Sequence, residues 1–214
     1  MEKSFWDERW TQGQLGFHLA DANPRLVAHV NQLGTGGRVL VPLCGKTLDM
    51  SFLASAGFEV VGIEFVEAAA RAYFAEAGVQ PARMEQDGFV GYQHGKVTIW
   101  VADVFLITPQ VVGHVDAIYD RAALVALPEN LRMQYGSKLA SFCEAGARLV
   151  LVTFEHDLGS GPPFSLEPEN VQRLFGASFS LELLERFDTF DESSRWKERG
   201  ATRVSEAVWT GVRV

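Results

Sequence analysis

The sequence predicts an α/β fold built on a mainly parallel sheet, and residues 38–64 form its organising unit. This stretch contains an apolar run from Val39 to Val41, a turn, a helical segment and a second apolar run that ends on Glu64. Continuous runs of Val, Ile and Leu are typical of parallel strands that are buried on both faces. A strand–turn–helix–strand unit of this kind is the nucleotide-binding half of a doubly wound sheet.

Glu64 stands at the tip of the second predicted strand. An acid at this position is placed to accept hydrogen bonds from the two ribose hydroxyls of a bound nucleoside. The alternative is an exposed glutamate at the end of a strand, and the pattern of residues alone leaves both explanations open.

Two helical segments, separated by a glycine-containing loop, are predicted before this unit, within residues 4–33. Ser4 is a suitable N-cap for the first segment. Trp6 and Trp10 are four residues apart, so they share one helical face. Ordinary core packing is one explanation for this pair, and a position across the carboxyl edge of the sheet is the other. We expect residues 1–33 to form a helical lid on a single domain that spans residues 1–214.

After the organising unit, the pattern alternates helices and strands. We predict a helix over residues 66–77, a small excursion or hairpin within 83–95, and strands over 96–101 and 115–121. A helix from Pro128 to about residue 143 and a strand over 148–154 come next. A long loop over 155–165 and a helix near 168–175 follow.

The last two predicted strands, over residues 178–190 and 202–213, have no convincing helix between them. They should therefore pair as an antiparallel hairpin. A seven-stranded, mainly parallel sheet with an antiparallel last strand, helices on both faces and an N-terminal helical cover is the arrangement of class I adenosylmethionine-dependent methyltransferases, whose fold is Rossmann-like. The end of the chain thus favours this α/β fold class over a dinucleotide-binding fold.

Composition narrows the class of protein further. The 214 residues are 47% hydrophobic, which suffices for one domain with a substantial core. The net charge is −8 and the 19 basic residues are scattered, which disfavours binding to nucleic acid or to anionic lipid. No apolar run approaches the ~18 residues that span a bilayer, and the two cysteines form neither a disulfide framework nor a zinc site. We expect a cytoplasmic monomer without a metal.

Two phosphate-binding motifs are excluded because this chain lacks glycines that they require. Gly45-Lys46-Thr47 resembles the end of a phosphate loop, but that motif needs a glycine where Leu40 stands. The dinucleotide fingerprint needs three glycines, and Gly45 is the one glycine in this turn. A nucleoside without phosphate fits better, and adenosylmethionine is the common one. Aromatic rings suit its sulfonium, and Trp6 and Trp10 can supply them.

Six short stretches along the chain carry a characteristic pattern. They are FWDERW at 5–10, GFH at 16–18, VPLCGK at 41–46, VGIE at 61–64, YDRAALVAL at 119–127 and GPPF at 161–164. This pattern resembles the thiopurine S-methyltransferase family, in particular its bacterial members. A Pro-Leu-Cys-Gly-Lys turn in place of a glycine-rich one is unusual among methyltransferases. The resemblance covers essentially the whole chain and weakens after residue 175.

The resemblance implies S-adenosyl-L-methionine as the methyl donor and assigns its contacts residue by residue. The implied contacts are Trp10 over the methionine end with Trp6 on the same face, Leu43 through its backbone in the first turn, Glu64 on the ribose, Asp103 and Val104 beside the adenine, and Arg121 at the end of the fourth main strand.

For the methyl acceptor, the resemblance implies Phe17 as a pocket-lining aromatic, and Arg121 and Arg195 as substrate-binding and catalytic residues. A guanidinium near a thiol lowers the pKa of that thiol, although arginine cannot itself act as a base. Mammalian members carry an arginine–histidine pair where this chain has Arg195-Trp196, so a histidine base at that position is in doubt.

Two neighbours of these residues have open roles. His18 follows Phe17 and either contacts the acceptor or is an ordinary loop histidine. Asp120 either holds Arg121 in place for the reaction or forms a structural ion pair with it.

The predicted function is methyl transfer to aromatic and heterocyclic thiols such as thiopurines, with an extension to selenium or tellurium compounds that the bacterial relatives suggest. The partner is therefore a small-molecule thiol. One alternative is a methyltransferase of the same fold that acts on small thiols or halide ions. A nucleotide-binding oxidoreductase and a non-catalytic binding module are two further alternatives.

Overall fold

The computed structural model describes residues 6, 8–10, 12, 18–190 and 194–214. The strands among these residues form one mixed sheet of nine strands. The strands are β1 (Arg38–Pro42), β2 (Glu59–Glu64), β3 (Ala82–Gln86), β4 (Phe89–His94), β5 (Val97–Val101), β6 (Val115–Arg121), β7 (Cys143–His156), β8 (Phe179–Asp188) and β9 (Val204–Arg213). Their order across the sheet is β3-β4-β5-β2-β1-β6-β7-β9-β8.

The centre of the sheet is parallel, as the sequence predicts. Strands β5, β2, β1, β6 and β7 are neighbours that all run in one direction. The last strand, β9, enters between β7 and β8 and is antiparallel to both. The expected antiparallel last strand is therefore confirmed.

The predicted count of seven strands is wrong by two. The segment within residues 83–95, expected as a small excursion or hairpin, is an antiparallel hairpin that adds β3 and β4 to the sheet beside β5. Asp87 and Gly88 both have positive φ angles, 49° and 81°, which suits a two-residue turn between twisted strands. Strand β3 is polar and largely exposed because it lies at the edge of the sheet.

Seven α-helices have both of their ends within the described residues. They are α1 (Pro24–His29), α2 (Asp49–Ser55), α3 (Glu67–Glu76), α4 (Pro109–Val112), α5 (Glu129–Ala140), α6 (Pro168–Phe175) and α7 (Ser194–Glu198). Short 3-10 helices cover Val30–Leu33 and Leu124–Ala126. Helix α7 lies between β8 and β9, where no helix was expected. The predicted N-cap Ser4 lies outside the described residues.

The helices cover both faces of the sheet, as predicted. Val39 and Val41 of β1 pack in one apolar cluster with residues of α1, α2 and α3. Leu40, on the opposite face of the same strand, packs in a second cluster with residues of α4 to α7. Because successive side chains of a strand alternate between faces, β1 is buried on both sides.

This topology brings five strand ends to one edge of the sheet. Strands β5, β2, β1, β6 and β7 are adjacent and parallel, so their carboxyl ends lie side by side. Ligands of open α/β sheets bind at this edge. Among the helices of the described residues, none has the length and apolar character required to cross a bilayer.

Candidate active site

A cavity opens at the carboxyl edge, where β1, β2 and β6 end. It contains about 730 Å³ of empty space, including the open solvent at its mouth. Trp6, Trp10, Leu43, Glu64 and Arg121, which the sequence predicts as site residues, all line this cavity. The structure therefore brings together five side chains that lie up to 115 positions apart in the sequence.

Glu64 is the last residue of β2, and the residue is 6% exposed. One oxygen, Oε2, accepts a hydrogen bond from the Gly45 backbone N–H at 2.7 Å, and Oε1 accepts one from the Val66 N–H at 2.8 Å. Burial raises the pKa of Glu64, and these backbone hydrogen bonds partly offset that effect. Because a carboxylate offers about four acceptor positions, it can still accept hydrogen bonds from hydroxyl groups of a ligand. The exposed-glutamate alternative is wrong.

The turn after β1 packs tightly against β2. The Cys44 N–H donates to the Ile63 carbonyl at 3.1 Å, and the Cys44 side chain is buried. Gly62 makes this approach possible, because a Cβ atom on Gly62 would lie 2.6 Å from the Cys44 Sγ. The Cys44 thiol has a pKa well above its usual value because it is buried, which argues against a nucleophilic role.

Two residues that line the cavity have a left-handed backbone without being glycine. Leu43, after β1, has φ of 47°, and Ala122, after β6, has φ of 63°. Such conformations cost of order 1–3 kcal/mol and occur often at functional sites. Here they follow two adjacent strands and bend the chain around the same cavity.

Asp103 and Val104 follow β5 and line a smaller apolar recess. Leu43 and Phe65 border both this recess and the main cavity, so the two spaces are neighbours. Asp103 accepts a hydrogen bond from the Phe105 N–H at 2.9 Å, which fixes the turn after the strand. The recess has the apolar character that a flat heterocycle requires.

Asp120 and Arg121 are adjacent on β6, so their side chains point to opposite faces of the sheet. Arg121 lines the cavity, whereas Asp120 is fully buried behind it. The Asp120 carboxylate accepts hydrogen bonds from the Tyr135 hydroxyl at 2.7 Å and from the Leu124 N–H at 3.1 Å. Burial raises the pKa of Asp120 to about 6. The Asp120 carboxylate contacts Leu124 and Tyr135 on the face opposite to Arg121, so the expected contact between Asp120 and Arg121 is wrong.

The Asp120 contacts hold the turn that carries Ala122 and Ala126 to the cavity. A second support comes from the loop after β7, where the Phe164 N–H donates to the Val125 carbonyl at 2.7 Å. The Arg132 guanidinium lies 5.0 Å from the centre of the Phe164 ring and donates to the Leu127 carbonyl at 2.9 Å. The GPPF stretch thus supports one wall of the cavity.

The structure describes only some of the three remaining residues that the sequence singles out, Phe17, Arg195 and Trp196. Phe17 lies outside the described residues. Arg195 belongs to helix α7, and its side chain also lies outside them. Trp196 is 2% exposed and packs against Phe154 and His156, with ring centres 5.4 and 5.1 Å away. Trp196 therefore lies in the core behind the loop.

The comparisons with known proteins agree on the family. The family described as thiopurine S-methyltransferase (TPMT) matches residues 1–213. A thiopurine S-methyltransferase of Pseudomonas fluorescens (strain SBW25) is 39% identical over 213 residues, which are 98% of each chain. One from Teredinibacter turnerae is 40% identical over 98% of this chain and 96% of its own length. The chain belongs to the thiopurine S-methyltransferase family.

Solved structures agree on the fold. A Burkholderia thailandensis 1,6-didemethyltoxoflavin-N1-methyltransferase, solved with 1,6-didemethyltoxoflavin and S-adenosylhomocysteine, superimposes with a TM-score of 0.67 at 17% identity. The match covers 99% of this chain and 87% of that one. This thiopurine S-methyltransferase family member therefore has the predicted methyltransferase fold, with the hairpin β3–β4 added at one edge.

Sequence reasoning missed a buried polar network beneath the cavity of this family member. Asp49, at the start of α2, is 1% exposed and lines the cavity. It accepts hydrogen bonds from the Asn23 N–H at 2.6 Å and from the Tyr119 hydroxyl at 3.1 Å. An acid in the first turn of a helix is a common stabilising feature, so its sequence position gave no sign of this network.

His18 and Lys46 also line the cavity. Lys46 forms an ion pair with Glu76 of α3 at 2.5 Å and is 15% exposed. The sequence marked His18 only as a residue with two possible roles. Among the described residues, no group of three or more His, Cys, Asp or Glu side chains has the arrangement of a metal site.

The donor set suits a nucleoside that carries a cation and no phosphate. The Glu64 carboxylate accepts a hydrogen bond from the Gly45 N–H in the turn after β1, so this donor is not available to a phosphate. It leaves acceptor positions for ribose hydroxyls, and Trp6 and Trp10 offer aromatic faces to a cation. The residues present therefore fit adenosylmethionine.

Proposed function

We propose that this chain transfers the methyl group of S-adenosyl-L-methionine to the sulfur of aromatic and heterocyclic thiols, thiopurines included. The observation that carries the proposal is the shared cavity of Glu64 and Arg121. An acceptor for ribose hydroxyls and a cation for a thiolate face the same space. Family membership supports the same activity.

The chain's residues would hold the donor in three places. Glu64 accepts the ribose hydroxyls, while Leu43, Asp103 and Val104 border the recess for the adenine. Trp6 and Trp10 lie at the methionine end. When bound, adenosylmethionine supplies an electrophilic methyl group on a sulfonium.

On the acceptor side, Arg121 lowers the pKa of the thiol and orients the resulting thiolate. The family resemblance adds Arg195 as a second cation and Phe17 as an aromatic wall. The reaction is an in-line displacement between soft atoms. The main contribution of the protein to catalysis is therefore to hold the two sulfur atoms in line with the methyl carbon. Such positioning lowers a barrier by up to ~7–11 kcal/mol.

The breadth of acceptors follows from the same chemistry. Reduced selenium and tellurium species are soft, polarisable nucleophiles, so we extend the proposal to them.

A screen with labelled adenosylmethionine tests the proposal. It compares aromatic thiols, aliphatic thiols, halides, and selenium and tellurium oxyanions under reducing conditions. We expect the highest kcat/KM with aromatic thiols, and preference for a halide would refute the thiol assignment.

Arg121→Ala tests the role of the cavity cation. We expect thiol turnover to fall by about 100-fold, the usual loss for one electrostatic donor, while the free energy of unfolding changes little. Arg83→Ala, at an exposed position on edge strand β3, is the matched control. A loss of stability that accounts for the loss of turnover would make Arg121 a structural residue.

We also propose that residues 1–33 act as the lid of a single domain and that the protein works as a monomer. Trp6 and Trp10 line the cavity from this segment. Adenosylhomocysteine should therefore slow proteolysis within residues 1–20. Cleavage at the same rate with and without adenosylhomocysteine would argue against the lid.

A further inference from the structure

His18 lines the cavity but has no role in the proposed binding of the methyl donor or of the methyl acceptor. It lines the cavity together with Arg121, the proposed cation for the acceptor. Among the described residues, neither nitrogen of its ring has a hydrogen-bond partner. The imidazole is partly buried, so a bound acceptor can reach it while bulk water has limited access.

The other titratable groups that line the cavity are poor proton acceptors. Glu64 and Asp49 already accept hydrogen bonds from buried donors. Burial raises the pKa of both Cys44 and Tyr119 well above their usual values, which keeps these groups protonated. The cations Lys46 and Arg121 carry no acceptor atom.

Four charged groups surround His18, and they act in opposite directions. Lys46, in the turn after β1, and Arg121 of β6 lower the pKa of His18, as does burial, which has the largest effect. Glu76 of α3 and Asp49 of α2 raise it, but the net result is a lowered pKa. The ring is therefore neutral at pH 7 and has a lone pair to offer.

We propose that His18 is the general base that removes the proton from acceptors whose thiol is not already ionised. This inference rests on the proposed function. The S–H proton moves to an imidazole nitrogen, and the electron pair stays on sulfur as a thiolate beside Arg121. The thiolate then forms the new S–CH3 bond as the methyl–sulfonium bond breaks, with its electrons going to the departing sulfur. The imidazolium returns its proton to water.

The test compares two acceptors of similar shape with the full chain and labelled adenosylmethionine. One is a nitro-substituted aromatic thiol that is ionised throughout the assay range. The other is an arylmethyl thiol that stays protonated there. In His18→Gln, we expect kcat/KM for the protonated thiol to fall by about 100-fold or more, the usual contribution of a general base. For the ionised thiol it should fall by less than about threefold, because no proton needs to be removed.

The pH dependence of Lys46→Met provides a test in which His18 is intact. Wild-type kcat/KM for the protonated thiol should decrease as the pH falls through the lowered pKa of His18, because imidazolium cannot accept a proton. Removal of the Lys46 charge should raise that pKa and move the acid limb to higher pH. An acid limb at an unchanged pH would overturn the role of His18.

His94→Gln is the matched control, since His94 is an exposed histidine at the end of β4, on the opposite edge of the sheet. It should change neither acceptor's kinetics. Equal losses for both thiols in His18→Gln would overturn the general base and leave the methyltransferase standing. If the wild-type protein methylates neither thiol, the proposed function itself is overturned, and the inference with it.

Discussion

Replacing Asp120 with asparagine should change how the stability of this protein depends on pH. The carboxylate is fully buried at the end of β6, and its pKa is raised from 3.8 to about 6 because burial disfavours the charged form. In the unfolded chain the pKa returns to its ordinary value. At about 1.36 kcal/mol for each pKa unit, the gap corresponds to roughly 3 kcal/mol.

The direction follows from which state releases the proton first. Because the folded pKa is the higher one, the unfolded state ionises first as the pH rises. The stabilisation is complete below the unfolded pKa, is lost as the pH rises to about 6, and is constant above that. About 2 of the ~3 kcal/mol should be lost between pH 4.5 and pH 7.5.

The assay is urea unfolding followed by tryptophan fluorescence at several pH values in that range. The free energy of unfolding of Asp120→Asn minus that of the wild type should rise by about 2 kcal/mol from pH 4.5 to 7.5. Tyr135→Phe removes a hydrogen bond that lowers the pKa of Asp120, so in that variant the loss of stability should extend to higher pH. A difference between Asp120→Asn and wild type that does not vary with pH would refute the reasoning.

Two further predictions concern the cofactor turn. Glu64→Ala should weaken binding of adenosylhomocysteine by about 10- to 100-fold, because it removes the proposed hydroxyl acceptor and leaves the Gly45 N–H without its carboxylate; unchanged affinity in calorimetry would contradict the ribose assignment. Gly62→Ala should lower the free energy of unfolding by ~1–3 kcal/mol through overpacking against the Cys44 Sγ, whereas Gly159→Ala, with no heavy atom within 4 Å of an added Cβ, should change it little. Equal effects of the two alanines in urea unfolding would rule out the close contact.

The sequence predicts best the central strands, which are buried on both faces of the sheet and therefore consist mostly of apolar residues. Strands β1 and β2 carry continuous apolar runs, and β6 carries Ala117-Ile118-Tyr119 between two aspartates. The prediction for β6 matches Val115–Arg121 to the residue. Edge strand β3 has no such run, because one side of it faces solvent. Its pairing depends on the turn at Asp87-Gly88 and on β4, so the strand count was too low.

The sequence could predict the position of a cavity residue when that residue is the last of a predicted strand, as Glu64 and Arg121 are. The position was not predictable where a contact joins distant segments. Asp49 meets Asn23, 26 positions away, and Tyr119, 70 positions away, and no local pattern encodes either contact. The expected contact between Asp120 and Arg121 was wrong for a related reason. The two residues are adjacent in sequence, but neighbouring side chains of a strand point to opposite faces of the sheet.

The turn after β1 also explains how one architecture can favour a nucleoside without phosphate. In dinucleotide-binding folds, backbone N–H groups after the first strand and at the N-terminus of the following helix hold the pyrophosphate, while an acid after the second strand binds the ribose. Here the Gly45 N–H, in the turn after β1, donates to Glu64, so this donor is not available to a phosphate. Because a carboxylate has several acceptor positions, the side chain that satisfies this donor can also bind hydroxyl groups.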